Sequence, residues 1–237
     1  MALKDIKPQD RLIVALDLDS NAAAKALVET LGDTVVFYKL GLELFIAGEY
    51  YEMLTWLLAQ GKQVFVDLKF FDVPQTVGSA VRQLRDKGAT FATVHGNNAI
   101  LEAAVAQKGD LKILAVTVLT SLDRHDLEDL GFQCDPEALV LSRAKRAMEL
   151  GCDGVISSGL EAKALRQDLG NNFLIVTPGI RPVDNDIVDD QKRTVDVEQA
   201  FMNGADYIVV GRPIRDAQDP HQMAHDMQER ITRLFPA

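Results

Sequence analysis

A chain of 237 residues, 47% apolar and 25% charged, has the make-up of a folded globular protein, long enough for one α/β barrel or two small domains. Its formal net charge of −10 argues against nucleic acid or an anionic membrane surface as the main partner, while leaving room for a small anionic ligand in a local basic pocket. No apolar run approaches a membrane span, and the opening M-A-L-K-D-I-K-P-Q-D has no apolar signal core.

Eight short β-type runs recur along the chain, at residues 12–16, 35–38, 64–68, 91–94, 113–119, 154–156, 174–176 and 207–210. They are apolar and β-branched without strict alternation, as strands buried on both faces should be. Helical patterns lie between them. Ser20 is placed to cap a helix running to Leu31. Leu42, Phe45, Ile46, Met53, Leu54, Leu57 and Leu58 form an apolar stripe of roughly helical period. Asp72 and Pro74 read as a helix start followed by Val77, Ala80, Val81 and Leu84; Asp135-Pro136 opens another helix and Asp219-Pro220 the last. Gly61, Gly88, Gly151 and Gly204 each stand just before a strand, where a left-handed helix terminus is expected.

Strand, helix, glycine, strand thus repeats around the chain. Eight such units predict one (β/α)₈ barrel domain over residues 1–237. The alternative is a doubly wound open sheet, but the first strand turns through A-L-D-L-D-S rather than a glycine-rich dinucleotide loop. The long polar stretch at residues 182–194 is of a length that is usually functional or mobile in a compact domain.

In such a barrel the active site forms at the C-terminal strand ends. The runs here end at Asp17, Lys39, Asp67 with Lys69, His95, Thr117 with Thr120, Ser157 with Ser158, the T-P-G-I-R ending at Arg181, and Gly211-Arg212. Asp67 and Lys69 are two apart and share a strand face. Taken alone, they read equally well as an ion pair capping a strand. Polar convergence at nearly every strand end is hard to explain as packing, because buried charges are costly unless paired. Gly211-Arg212 after the eighth run is a phosphate signal: glycine admits backbone N–H groups and arginine offers a bidentate fork, with Arg181 at hand.

Other candidates carry less. His221 and His225 have i, i+4 spacing but lack a third metal ligand and read as solvated. His95 reads as a supporting or packing residue, and His125 sits in a polar loop. Cys134 and Cys152 form no ligand or disulfide pattern, which suits inert thiols in a reducing, cytoplasmic setting.

The run from Asp67 through Lys69 to Asp72 combines with other motifs. These are V-A-L-D ending at Asp17, Y-K-L-G around Lys39, V-T-V-L-T ending at Thr120, T-P-G-I-R-P around Arg181 and V-V-G-R ending at Arg212. The set resembles the bacterial type of the orotidine 5′-phosphate decarboxylase family, nearly end to end. The resemblance implies a (β/α)₈ barrel that forms a homodimer, needs no cofactor or metal, and makes UMP and CO₂ from orotidine 5′-monophosphate. It implies that Lys69 donates the proton to C6 of the pyrimidine, that Asp67 lies beside the departing carboxylate, and that Lys39 completes the charged array and contacts the ribose. Asp72 and Thr76 would reach the partner subunit's site, Asp17 would bind a ribose hydroxyl, and Thr120 would read the pyrimidine amide. Arg181, Gln191, Gly211 and Arg212 would hold the phosphate. Two other readings stay open: a Mg²⁺-dependent ribulose-phosphate aldolase or decarboxylase sharing the D-x-K-x-x-D pattern, and a non-catalytic nucleotide-binding barrel. The first would want a glutamate where this chain has Lys39; the second would be expected to lose Lys69 or Asp67.

Overall fold

The computed structural model describes residues 4–181 and 194–236. Among them, eight parallel strands close into a barrel in chain order, each pairing with its sequence neighbours and the last with the first. The strands are β1 (Leu12–Ala15), β2 (Phe37–Leu40), β3 (Gln63–Phe70), β4 (Phe91–Val94), β5 (Lys112–Val116), β6 (Gly154–Ile156), β7 (Leu174–Thr177) and β8 (Tyr207–Val210). The open-sheet alternative is therefore set aside. Helices α1 (Asn21–Leu31), α2 (Leu42–Ala47), α3 (Tyr50–Ala59), α4 (Pro74–Arg85), α5 (Asn98–Gln107), α6 (Arg124–Asp129) and α7 (Pro136–Glu149) fill the first connections. After β6 come α8 (Ala162–Leu169), α9 (Val197–Met202), α10 (Arg212–Arg215) and α11 (Pro220–Leu234).

Helix starts follow the side chains that can satisfy free N–H groups. Ser20 accepts from Ala23 N, Asp135 from Ala138 N and Asp219 from Gln222 N. Gly61, Gly88, Gly151 and Gly204 take φ of 71°, 85°, 89° and 107°, which lets the chain leave each helix in the left-handed region. The stripe from Leu42 to Leu58 is not one helix. Gly48 and Glu49, both at positive φ, break it into α2 and α3, and Leu42, Phe45 and Ile46 end exposed. At α4 the N-cap is Val73 and Pro74 occupies the first turn, so Asp72 stands one residue outside the helix.

The interior is built in layers, because side chains two apart on a strand share a face. The floor is aromatic: Phe37, Phe65, Phe91 and Tyr207 are buried and touch edge-on or tilted, with centroids 5.1–6.0 Å apart. Two positions further along the same strands stand Lys39, Asp67, Thr93 and Val209. The core's larger part lies between the barrel wall and the helices, from Leu12 and Val14 round to Met227 and Ile231.

Below the floor, on the N-terminal side, one carboxylate gathers several donors. Asp206 Oδ2 accepts from Arg166 Nη2 at 2.6 Å, Lys4 Nζ at 2.5 Å and Ile175 N at 2.9 Å, and its carbonyl accepts from Arg11 Nη1 at 3.0 Å. Asp206→Ala leaves two basic groups and a backbone N–H short of a partner in a buried place. Urea unfolding should show a loss of about 3–5 kcal/mol, the scale of a broken buried pair.

Candidate active site

At the opposite end, the strand termini enclose a cavity of about 550 Å³ whose lining includes Asp17, Lys39, Phe65, Asp67, Lys69, Thr120, Arg181, Gly211 and Arg212. Its lining thus brings together eight of the predicted site residues with Phe65 from the aromatic floor. Asp72 and Thr76 lie elsewhere, exposed on the surface at the start of α4. Asp72 Oδ1 accepts from the adjacent Val73 N at 2.6 Å. Gln191 falls outside the described residues.

The cavity floor carries a compact charge array. Lys69 Nζ lies 3.0 Å from both Asp67 oxygens. Lys39 Nζ lies 2.9 Å from Asp17 Oδ1 and 3.6 Å from Asp67 Oδ2. The order is Asp17, Lys39, Asp67, Lys69. Burial would push Asp67 up, but Lys39 and then Lys69 outweigh it, and the carboxyl is held below the ordinary range. Burial would likewise pull Lys39 down, but Asp67 and Asp17 reverse this and hold the ammonium above its ordinary value. Both groups are therefore charged at neutral pH.

Lys39 is the penultimate residue of β2, at the C-terminal end of its strand as expected, and lines the cavity. β3 is longer than its apolar run suggested, and irregular. Phe65 pairs with Phe91 and Val66 with Ala92, but the next partners are Phe70 and Val94. Four steps of β3 match two of β4, which is a bulge. Within it Lys69 takes φ of 49°, a left-handed conformation that costs a side-chain-bearing residue roughly 1–3 kcal/mol. Strain of this kind persists only where surroundings enforce it.

Spacing arguments did not bring out several residues of the site. Thr93 Oγ1 donates to Asp67 Oδ1 at 2.9 Å and accepts from Lys69 N at 2.9 Å. It lies two residues beyond the inward-facing Phe91, the one sequence signal that could have found it. Gly41 passes so close that an added Cβ would stand 2.5 Å from Asp17 Oδ1 and 2.9 Å from Lys39 Nζ. Arg215 also lines the cavity, pairs with Asp216 at 2.6 Å, and donates from Nη1 to the Asp17 carbonyl at 2.5 Å.

The cavity lining also carries three arginines, Arg181, Arg212 and Arg215. Arg181 is set by its backbone: Ile180 and Val195 form a parallel bridge, and Arg181 N donates to Val195 O at 2.9 Å. Thr120 lies on the loop after β5, which ends at Val116, earlier than its apolar run. Thr117 is buried, donates to Ile156 O at 2.8 Å and does not line the cavity.

His95 does not line this cavity; its ring stands edge-on to Phe71 at 5.2 Å, and burial, then Arg143 and Lys69, lower its pKa. His221 and His225 are exposed, with His221 Nε2 3.1 Å from Thr34 Oγ1. Cys134 and Cys152 are free thiols, and burial, then Asp153, pushes Cys152 up to about 12. Among the described residues no group of three or more His, Cys, Asp or Glu side chains is placed to hold a metal ion. Among the same residues no helix is long and apolar enough to cross a membrane.

Fold and site together define a (β/α)₈-barrel protein whose ligand cleft is lined by a lysine–aspartate array and by arginines. The chain belongs to the orotidine 5′-phosphate decarboxylase / HUMPS family, whose model matches residues 10–227. It is 62% identical over 234 residues to the orotidine 5′-phosphate decarboxylase of Methylococcus capsulatus, covering 99% of this chain and 97% of that one. It is 48% identical over 234 residues to the corresponding protein of Stenotrophomonas maltophilia, covering 98% and 97%. The crystal structure of orotidine 5′-phosphate decarboxylase from Lactobacillus acidophilus superposes with a TM-score of 0.82 at 37% identity, covering 96% of this chain and all of that one.

The pH dependence of stability follows from Asp67. A carboxyl held low in the folded state stabilises fully above its ordinary value of 3.8, and that contribution is lost as pH falls through the lowered value. Asp67→Asn should therefore cost about 3–5 kcal/mol at neutral pH, because it leaves two lysines without their shared counter-ion. The gap between wild type and variant should stay constant down to about pH 5 and narrow in more acidic solution. Urea titrations of both proteins across pH 3–7 measure it.

Proposed function

We propose that this chain decarboxylates orotidine 5′-monophosphate with Lys69 as the proton donor, acting as one barrel domain without metal or cofactor. The reaction yields UMP and CO₂ and is the last step of UMP biosynthesis. The carrying observation is the floor of the cavity: an ammonium held 3.0 Å from both oxygens of a buried carboxylate, with a second ammonium 3.6 Å from it.

Breaking the bond from C6 to the carboxyl carbon leaves an electron pair in the plane of the pyrimidine ring, where it cannot delocalise as an enolate does. A fixed ammonium at that carbon stabilises the developing charge and then transfers its proton to C6. Lys69 is that ammonium. Asp67 lies beside the substrate carboxylate, whose departure relieves the repulsion between them, and keeps Lys69 in place. Lys39, tied to Asp17 and Asp67, completes the array and with Asp17 binds the ribose. Thr120 reads the pyrimidine amide. Arg181, Gly211 and Arg212, with Gln191, hold the phosphate, whose binding energy is realised at the reacting carbon. Lys39 also argues against a Mg²⁺-dependent relative's chemistry, since its ammonium fills the space between the two carboxylates a divalent ion would use.

Purified protein should convert orotidine 5′-monophosphate to UMP in the presence of EDTA, followed by ultraviolet absorbance. Lys69→Ala should bind UMP but lose turnover by roughly 10⁴-fold or more, the combined scale of general-acid and electrostatic catalysis. Near-normal turnover in this variant would remove Lys69 from the mechanism.

The site is completed by Asp72 and Thr76 from a second copy of the chain. Both are exposed and neither lines its own cavity, and Asp72 is flanked by Phe71 and Val73 at 67% and 61% exposure. A recess of about 420 Å³ lined by Phe71, His95, Asn97, Arg143 and Arg146 adjoins the same loop. In a two-fold dimer such a loop can meet its symmetry mate. Lys69→Ala and Asp72→Asn proteins, each nearly inactive alone, should regain activity when mixed with subunit exchange, since about a quarter of all sites then carry neither lesion. Verified exchange without recovery would place both residues in one subunit's site.

A further inference from the structure

We propose that Thr93 is the positioning residue of the reacting lysine, its one hydroxyl setting both the backbone of Lys69 and the carboxylate of Asp67. This rests on the reading of Lys69 as proton donor and gives a role to a side chain outside the charged array.

The bulge in β3 creates the need. Where β3 takes four steps to two of β4, its backbone groups lose their regular ladder partners. The Lys69 N–H then donates to Thr93 Oγ1 at 2.9 Å instead of to a strand carbonyl. A hydroxyl has one proton to give and lone pairs to receive. Here the received bond comes from Lys69 N and the proton goes to Asp67 Oδ1 at 2.9 Å.

Thr93 is itself held firmly. It is wholly buried, so water has no access to replace its hydroxyl. It sits on β4 opposite Leu114 of β5, in regular register. The hydroxyl is thus a fixed point on a rigid strand, and the irregular strand is docked onto it. If residue 69 relaxed from φ of 49° to extended backbone, its Cα–Cβ bond would be re-aimed and Nζ carried away from Asp67. One oxygen therefore ties the direction of the proton donor to the orientation of its counter-ion.

Steady-state kinetics with orotidine 5′-monophosphate test this on Thr93→Val, which keeps the shape and deletes the hydroxyl, and Thr93→Ser, which keeps the hydroxyl. Thr93→Val should lower kcat about 10- to 100-fold, the cost of a misplaced reacting group, while affinity for UMP stays within about threefold. Thr93→Ser should restore kcat to within about threefold of wild type. A kcat for Thr93→Val within about twofold of wild type, or a Thr93→Ser as slow as Thr93→Val, would overturn the assignment. Should Thr93→Val not fold, Thr93→Ala, which cannot overpack, carries the same comparison with the same criteria. Lys69→Ala run in parallel separates the two readings. If it is active, the reading of Lys69 fails; if it is inactive and Thr93→Val is unimpaired, only the role of Thr93 fails.

Discussion

A carboxylate held between two ammonium groups, at the bottom of a cleft and above a layer of aromatic rings, is the constraint on which the rest of this structure turns. Asp67 cannot be buried alone, because a desolvated carboxylate without partners would take up a proton. Lys39 and Lys69 keep it charged, and it keeps Lys39 charged in return. The mutual requirement fixes three side chains more tightly than hydrogen-bond geometry alone would. It also makes the site electrostatically prepared before any ligand arrives, which is the form in which charges contribute most to a reaction.

The barrel supplies this through its strand period. Phe37 leads to Lys39, Phe65 to Asp67 and Phe91 to Thr93, each two residues further on the same inward face. Apolar rings below exclude water from the underside of the charges, and the cleft above exposes Lys69 to a ligand while Asp67 stays largely covered, at 36% and 12% side-chain exposure. At the other end Asp206 gathers basic groups in a purely internal arrangement. Two buried carboxylates thus stand at opposite ends of one barrel. One ties segments of the chain together, and the other is left with a face toward the cleft.

Much of this was legible in the chain. Eight apolar runs separated by capped helices imply the barrel, and the caps at Ser20, Asp135 and Asp219 fall where their side chains demand. Asp67 and Lys69 meet, as their spacing suggests, but through the left-handed backbone of the bulge rather than a regular extended strand. Other features depend on relations across strands, which a one-dimensional pattern does not carry. The bulge in β3 arises from a mismatch with β4, so neither strand alone announces it. Thr93 matters because it lies opposite that mismatch. The break between α2 and α3 was hidden because the apolar stripe continues through Gly48 and Glu49, and only the positive φ of both reveals it. Asp72 and Thr76 do not join their own chain's cleft, since they stand just before and in the first turn of α4, where both are exposed.

The aromatic floor also governs traffic. Among the described residues, the buried rings of Phe37, Phe65, Phe91 and Tyr207 pack across the barrel axis on the N-terminal side. A nucleotide bound in the cleft lies above those rings, across the way out on that side. Carbon dioxide freed at the floor would leave past the nucleotide, so its departure would be tied to the loosening of the nucleotide rather than to a duct through the rings.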